Sequence, residues 1–389
     1  MSLLFKQRSG VIPPAQLVAL QSDSMSTPSG VHVDAETALR HDAVWAAVNR
    51  IAMPIAGLPI DTVRTVGKNR EVIASPQVIT APSVVIDQID WMYQQISSLL
   101  LRGNGWGDVT EWTDMGRLPS RIEPRHPDTV KWRNVGGELQ FTVNGERRLL
   151  WPLGDLWHVA AFTPAGSVIG MSPIAYHAAA IGAALAAQEF SSRFFGDGGH
   201  PTALVKSKTA LTEDQAKAIK ASINRAMRGS REVAVLGADL DYEQISVTPE
   251  DSQFLETMNY GVEQIARVFG LSPELLGAAT SGSSVTYANR EQRQQDYLVY
   301  PFGWWLGKME RALSKLLTRP RNVKFNTGAL LRSDMKTRHE VYDRRLRNGT
   351  MSRNEVRALE DEAPISDGDD YGPIQPAPPD DKGGANGAA

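Results

Sequence analysis

Two long helical patterns that enclose a short mixed segment constrain the fold of this chain more than any other feature. They are predicted over Pro173–Phe195 and Pro249–Phe269. Each begins with a hydroxyl residue followed by proline, which joins a good N-cap to a residue suited to the first helical position, and each ends at glycine. Between them, strand patterns occur at 203–205, 232–236 and 242–247, with a helix from Thr212. The sequence therefore predicts a helix pair that carries a small α/β insertion.

A loop without charge and a long helical pattern follow this helix pair. Residues 278–286 contain only Ala, Thr, Ser, Gly and Val. The helical pattern then extends over Tyr287–Leu317, where Pro301 and Gly303 predict a kink, because proline removes a backbone donor and clashes with the preceding turn.

The regions on either side of this assembly mix helices and strands, so the predicted class is α+β. Helices are expected over Ala35–Ile55 and Ile86–Leu101, and Asn144-Gly145 predicts a hairpin turn between strands 138–143 and 146–151. A strand at 323–325, a helix over 332–347 and a short helix with a Ser352/Glu355 capping box complete the pattern. Both ends, 1–34 and 364–389, are expected to be disordered because apolar anchors are few.

Charge is distributed unevenly along the chain. The net charge is −3, but residues 361–389 carry seven acids and one base, whereas 287–347 carries 14 Lys or Arg and 6 Asp or Glu. A basic block can mark a polyanion partner or a solvated helical face, and charge alone leaves both open. The nearby aromatics Tyr300, Phe302, Trp304 and Trp305 can stack on bases, but at helical spacing such residues more often form a core or a subunit interface.

Motifs that carry enzymatic chemistry are absent from the sequence. The chain has no cysteine, which excludes disulfides and thiolate metal sites and fits a reducing cytoplasm. Gly303–Lys308 is one residue too short for a phosphate-binding loop, and no two histidines stand three or four residues apart. His158, within a strand pattern, is expected to be structural. We therefore expect no cofactor, no metal, no enzymatic activity and, without an apolar run of about 18 residues, no membrane span.

Five local strings occur in a distinctive order. They are Ala43–Ala52 with Gly57–Pro59, Leu99–Trp106, Gly170–Ile174, Phe194–Gly198 and Glu263–Gly277. Together with the enclosed insert and the kinked helix, they resemble the portal family of tailed bacteriophages, in the branch typified by HK97, over roughly residues 35–350.

The resemblance implies a portal fold with a wing, a helical stem, a clip, a kinked tunnel helix and a short crown. The implied divisions are an arm (1–34), wing (35–171), stem helix (172–198), clip (199–247), stem helix and connection (248–277), tunnel loop (278–286), kinked helix and return to the wing (287–329), crown (330–363) and acidic tail (364–389). It further implies a dodecameric ring at one capsid vertex, through which DNA is packaged and ejected. The brief crown departs from the family pattern.

The resemblance also implies site residues and partners. The loop residues facing DNA would be Thr280, Ser281, Ser283, Ser284 and Thr286, and an uncharged surface suits weak contact with a sliding polyanion. The partner-facing clip residues would be Lys206, Lys208, Lys217, Lys220 and Arg225. The implied partners are further copies of the chain, double-stranded DNA, the major capsid protein, the terminase large subunit and a head–tail adaptor. The implied location is the virion, after assembly in the host cytoplasm.

Two other hypotheses remain at this point. The first is a DNA-binding or capsid-associated module of another architecture, with 287–347 as its footprint. The second is an enzyme, which would need a metal- or nucleotide-dependent activity without the usual motifs.

Overall fold

The computed structural model describes residues 25–67, 69–113, 118–135, 138–196, 203–207, 212–215, 217–219, 221, 240–244, 251–277, 301–327, 335–360 and 362–372. In the first half of the chain the elements are β1 (Met25–Ser26), β2 (His32–Val33), α1 (Ala35–Leu39), α2 (Asp42–Ala56), β3 (Ile60–Val66), β4 (Asn69–Ile73), α3 (Gln77–Thr80), α4 (Gln88–Arg102), β5 (Asn104–Trp112), β6 (Pro119–Arg125), β7 (Val130–Val135), β8 (Glu138–Val143), β9 (Glu146–Arg148) and β10 (Leu156–Ala160).

The second half is mainly helical. Its elements are α5 (Pro173–Tyr176), α6 (Ala178–Gly196), β11 (Ala203–Ser207), β12 (Leu240–Gln244), α7 (Asp251–Phe269), a 3₁₀ turn (Pro273–Leu276), α8 (Gly303–Ser314), β13 (Arg321–Phe325), α9 (Met335–Arg347) and α10 (Arg353–Leu359). This mixture of helices and small sheets agrees with the predicted α+β class.

The strands form small antiparallel sheets. The three-stranded sheets have the orders β10-β5-β6, β13-β3-β4 and β7-β8-β9, while β1 pairs with β2 and β11 with β12. The predicted hairpin is confirmed: Asn144 and Gly145 both adopt positive φ, of 52° and 89°, between β8 and β9. Such angles match the turn that suits the twist of paired strands.

One apolar core joins most of these elements. Helices α2 and α4 pack together through buried residues such as Ile51 and Ile96, and the same cluster continues through Trp157 on β10 to Ile181 on α6 and Met309 on α8. Because the cluster crosses from the predicted wing into the predicted stem, burial of one continuous apolar surface fixes their relative position.

The predicted first and stem helices are each interrupted. The pattern over Ala35–Ile55 is divided at Arg40 and His41, since the His41 ring caps a new helix by accepting from the Ala43 N–H. The pattern over Pro173–Phe195 is divided at His177, whose carbonyl accepts from the N–H groups of the next turn and so starts α6 afresh.

Other predicted elements are found close to their expected limits. The Ser352/Glu355 capping box opens α10, and the Thr212 N–H donates to Gln215 Oε1 at 3.0 Å. At the expected kink, Pro301 and Phe302 form a π turn before α8 begins. The strand at 232–236, the helix start at Thr248 and residues 287–300 lie outside the described residues.

The two terminal segments contain more structure than their composition predicts. Residues 25–33 of the predicted arm form a hairpin, and Val33 is buried. Residues 364–372 of the predicted tail fold against α10: the Tyr371 hydroxyl donates to Glu355 at 2.9 Å, and Asn354 donates to the Gly368 carbonyl at 2.8 Å. The buried Val33 anchors the first segment, whereas backbone and side-chain hydrogen bonds hold the second.

Candidate functional site

Two of the sequence strings cross each other where the stem begins. Gly103 ends α4 with a left-handed φ of 70°. The next residue, Asn104, forms hydrogen bonds with the backbone of Gly170. Asn104 Oδ1 accepts from the Gly170 N–H at 2.9 Å, and Asn104 Nδ2 donates to the Gly170 carbonyl at 2.9 Å. One side chain therefore joins the string Leu99–Trp106 to the string Gly170–Ile174. We call this crossing the wing–stem joint.

The joint requires glycine on both strings. A Cβ on Gly103 would lie 2.0 Å from the Met171 carbonyl oxygen, and a Cβ on Gly170 would lie 2.0 Å from the Gly103 carbonyl oxygen. The Ala161 N–H also donates to the Gly103 carbonyl at 2.7 Å. Since the backbones themselves are in contact, the crossing has no room for side chains.

Ser172 fixes the start of the stem to the same joint. Its hydroxyl accepts from the Ala175 N–H at 3.1 Å, which caps α5, and donates to the Leu101 carbonyl at 2.8 Å, which belongs to α4. The Ser-Pro signal read from the sequence thus has a second role. It orients the stem as well as opening a helix.

His158 supports the joint from β10. Its Nε2 lies 3.0 Å from Asn104 Oδ1, and because an amide oxygen can only accept, Nε2 carries the hydrogen and donates. The ring stacks on Trp106 with centroids 3.8 Å apart. Burial lowers the pKa of His158 to about 3, and the nearby Lys308 charge adds to this effect. A structural role, as predicted, follows from these contacts.

A second contact joins the opening helix to the string Glu263–Gly277. Arg50 Nε donates to the Leu275 carbonyl at 3.2 Å. In the same region α6 and α7 pack directly, because a Cβ on Gly261 would lie 3.3 Å from the Ala184 Cβ. Small side chains therefore let α6 and α7 approach closely at this point.

Comparison with known proteins gives the same assignment. The family described as phage portal protein matches residues 42–361. This chain belongs to that family. A probable portal protein of Streptomyces phage phiC31 is 31% identical over 361 residues, which cover 87% of this chain and 78% of that protein. The portal protein of Enterobacteria phage HK97 is 22% identical, with 91% and 88% coverage.

Solved structures share the fold. An HK97-family phage portal protein from Corynebacterium diphtheriae has a TM-score of 0.57 at 15% identity, covering 80% of this chain and 99% of that one. A chain from the neck of a native gene transfer agent particle, computed with C12 symmetry, has a TM-score of 0.56 at 20% identity, with 90% and 99% coverage. The resemblance drawn from the five strings and the α+β portal fold are both confirmed, and the alternative of another architecture is not needed.

The residues predicted to act in this portal subunit lie mostly beyond the described part of the chain. All five tunnel-loop residues, and Lys208, Lys220 and Arg225 of the clip, are outside it. Lys206 lies on β11, in register with Asp241 on β12. Lys217 lies on a helical segment and pairs with Glu213 at 2.8 Å. Lys206 and Lys217 are therefore the two predicted clip residues that the described part of the chain includes.

The described residues contain no grouping of three or more His, Asp or Glu side chains suited to a metal ion. Nor do they include a helix that is both long and apolar enough to cross a membrane. The portal family is a structural one. Sequence reasoning identified the strings of the joint but not their contact, for which the one available signal was a polar Asn104 between two glycines at the start of a largely buried strand.

The wing–stem joint predicts an asymmetry between two left-handed glycines. Gly103→Ala should destabilise the subunit by more than about 3 kcal/mol, because backbone strain is added to a clash with the Met171 carbonyl. The matched control is Gly277→Ala, since Gly277 has a φ of 83° but a Cβ there would meet no atom of the described residues within 4 Å, and strain alone costs about 1 kcal/mol. Urea unfolding measures both. Equal losses would show that the crossing is not closely packed.

The His158 environment predicts a pH dependence. Its folded pKa of about 3 lies below the unfolded value of about 6.5, so its stabilising effect is complete above pH 6.5 and is lost as pH falls towards 3, by about 1.4 kcal/mol per unit. His158→Gln keeps a donor for Asn104 but cannot titrate, and its melting temperature should fall less between pH 7 and pH 4.5. His32→Gln, at an exposed position, should behave as wild type. A parallel decline in all three proteins would contradict this assignment.

Proposed function

We propose that this chain assembles into a closed ring of twelve subunits at one vertex of a capsid and that DNA is packaged and ejected through the ring. The observation that carries the proposal is the family match over residues 42–361, together with a stem pair, α6 and α7, that is held to the wing at a rigid joint. A sealed pore requires contacts between two different faces of each subunit, because such heterologous contacts close only as rings. The twelvefold symmetry of the similar neck structure supports the number.

The stem pair and the loop after it supply the path for DNA in this proposal. The loop 278–286 follows Gly277, which ends the turn after α7, and it carries no charge. DNA must move through the channel, and every phosphate held by a cation would add affinity that opposes movement. Thr280, Ser281, Ser283, Ser284 and Thr286 offer hydroxyl groups without charge, which suits a sliding contact.

The clip between the stem helices is the proposed docking site for other proteins. The strands β11 and β12 pair within it, and Lys206, Lys208, Lys217, Lys220 and Arg225 are the residues that we assign to its partner-facing surface. In this proposal the clip binds the terminase large subunit during packaging and the head–tail adaptor afterwards, while the wing would contact the major capsid protein. The protein would act in the virion after assembly in the host cytoplasm, as a structural component without catalysis.

Ring formation is the first expected outcome. Purified protein at micromolar concentration should give closed rings in negative-stain images and a mass near twelve subunits by light scattering, since the interfaces act together once a ring closes. A monomer that persists across this concentration range would contradict the proposed function.

The loop provides a second, independent expectation. A variant with lysine at four loop positions would place four positive charges per subunit beside the channel; the changes are Thr280→Lys, Ser281→Lys, Ser283→Lys and Ser284→Lys. These charges would hold phosphates, an effect that salt should weaken. Ring formation should change little, because exposed loop substitutions usually stay within ~0.5 kcal/mol. DNA packaging into capsids should fall sharply.

The control for this experiment is the same four positions changed to asparagine, which adds bulk and polarity without charge and should package DNA nearly as wild type. Wild-type packaging by the lysine variant would place the loop away from the DNA path.

A further inference from the structure

Two exposed surfaces of the subunit have complementary chemistry. The first surface, which we call the aromatic-cationic stripe, consists of Phe162, Trp304, Lys308, Arg311 and Lys315. Trp304 and the three cations stand at i, i+4, i+7 and i+11 along α8, and so lie within one narrow face of the helix. At ~1.5 Å per residue this face is about 16 Å long.

The cations of the stripe have no acidic partner among the described residues. The acid of α8, Glu310, is already occupied, because it pairs with Lys324 at 2.5 Å and accepts from the Phe325 N–H at 3.1 Å. Partial burial lowers the pKa of Lys308, and the charges of Lys315 and Arg311 lower it further. Three like charges thus repel one another on a surface where an acid would be favourable.

The aromatic end of the stripe is held in an unusual conformation. Phe162 adopts a positive φ of 53°, which is rare for a bulky residue, and its ring stacks on Trp304 with centroids 5.7 Å apart. Both rings nevertheless remain open to solvent, at 40% and 47% exposure. Backbone strain that displays two aromatic rings is typical of a recognition surface.

The second surface, which we call the apolar-acidic knob, is residues 84–90. Val84, Val85 and Ile89 are 68%, 84% and 55% exposed, and Asp87 and Asp90 are exposed beside them. Asp87 caps α4 by accepting from the Asp90 N–H at 2.8 Å, but neither carboxylate has a cation partner in the described structure. Apolar groups and unpaired acids therefore project together.

Hydrogen bonds hold the knob rigidly in this exposed position. The buried Ser83 hydroxyl accepts from the N–H groups of Val85 and Ile86 and donates to Glu123. The Val84 N–H donates to Glu123 at 2.7 Å, and Arg121 donates to the Ser83 carbonyl at 3.1 Å. A surface that is already ordered loses little entropy on binding.

The two surfaces lie at opposite edges of one sheet. Glu123 and Arg121, which hold the knob, belong to β6, whereas Phe162 follows β10, and the order of this sheet is β10-β5-β6. The stripe is also next to β10 through Lys308, whose charge acts on His158 of that strand. Two different, complementary patches of a subunit can meet when copies follow one another around a ring.

We propose that the apolar-acidic knob of one subunit docks on the aromatic-cationic stripe of the next subunit in the ring. The inference rests on the proposed ring and names the contact that closes it. Val84, Val85 and Ile89 would pack against Phe162 and Trp304, while Asp87 and Asp90 would face Arg311 and Lys315. An apolar and aromatic centre with a charged rim is the usual composition of a protein interface.

Charge reversal on the stripe tests the pairing. Arg311→Glu with Lys315→Glu should raise the concentration at which half of the subunits are in rings by at least about tenfold, because like charges would then face each other across every interface. Lys131→Glu with Arg133→Glu makes the same change of charge at exposed positions on β7 and should leave assembly unchanged. Circular dichroism of each variant checks folding.

Rescue by the opposite reversal makes the test specific. Asp87→Asn with Asp90→Lys should also weaken rings, and asparagine retains the cap of α4. Combining these changes with Arg311→Glu and Lys315→Glu should restore assembly, whereas adding them to the β7 control should not.

A test variant and a matched control probe the apolar part of the interface. Trp304→Ala should weaken assembly by at least tenfold, as central aromatic contacts do. Trp45→Ala removes a tryptophan of similar exposure, 55%, from α2 outside both surfaces and should have little effect on the rings.

If the wild-type chain forms rings and the folded stripe variants assemble just as well, the pairing is overturned and the proposed function stands. The same conclusion holds if the combined knob and stripe variant does not recover assembly. Stripe variants that form normal rings but have lost affinity for double-stranded DNA would also overturn the pairing, because the stripe would then be a polyanion site. Failure of the wild-type chain to form rings would count against the proposed function itself.

Discussion

The arrangement of this subunit depends on one close crossing of two backbones. Gly103 and Gly170 approach within the distance that a single Cβ would fill, and Asn104 locks them with hydrogen bonds in both directions. An amide side chain can donate and accept at once, so it satisfies both backbone groups of Gly170 in an interior where an unpaired group would cost about 1–3 kcal/mol. The two strings are thereby joined by backbone contact at the glycines and by the one side chain of Asn104.

A rigid joint matters because the stem continues from it. Ser172 connects the first turn of the stem to α4, and the close packing of α6 on α7 at Ala184 and Gly261 carries the orientation along the helix pair. Small residues place helix axes close together, which leaves little freedom for one helix to tilt against the other. Under the proposed function, errors in this angle would be repeated at every subunit and would prevent the ring from closing.

The sequence predicted much of the local structure and little of the joint. Proline, glycine and capping residues act within a few positions, so the Asn144-Gly145 hairpin and the Ser352/Glu355 capping box were predictable. The contact of Asn104 with Gly170 spans 66 positions and depends on how α4 and β10 pack. The break at His177 could not be predicted either, since alanine and isoleucine on both sides favour a continuous helix. The interruption comes from the His177 carbonyl, which accepts hydrogen bonds from two backbone N–H groups.

Two groups of cations within the basic block over 287–347 differ in their partners. Lys324, Arg338 and Arg347 each pair with an acid of the same subunit at 2.5 to 2.8 Å, so they cannot attract a polyanion strongly. Among the residues that the structure describes, the cations of the stripe have no such partner, and the proposed interface would neutralise them with the acids of a neighbour. Contacts between subunits would then remove positive charge from solvent, and DNA would meet the uncharged loop. A channel that must release DNA as readily as it admits it needs this separation, because cations left exposed near the path would retain phosphates.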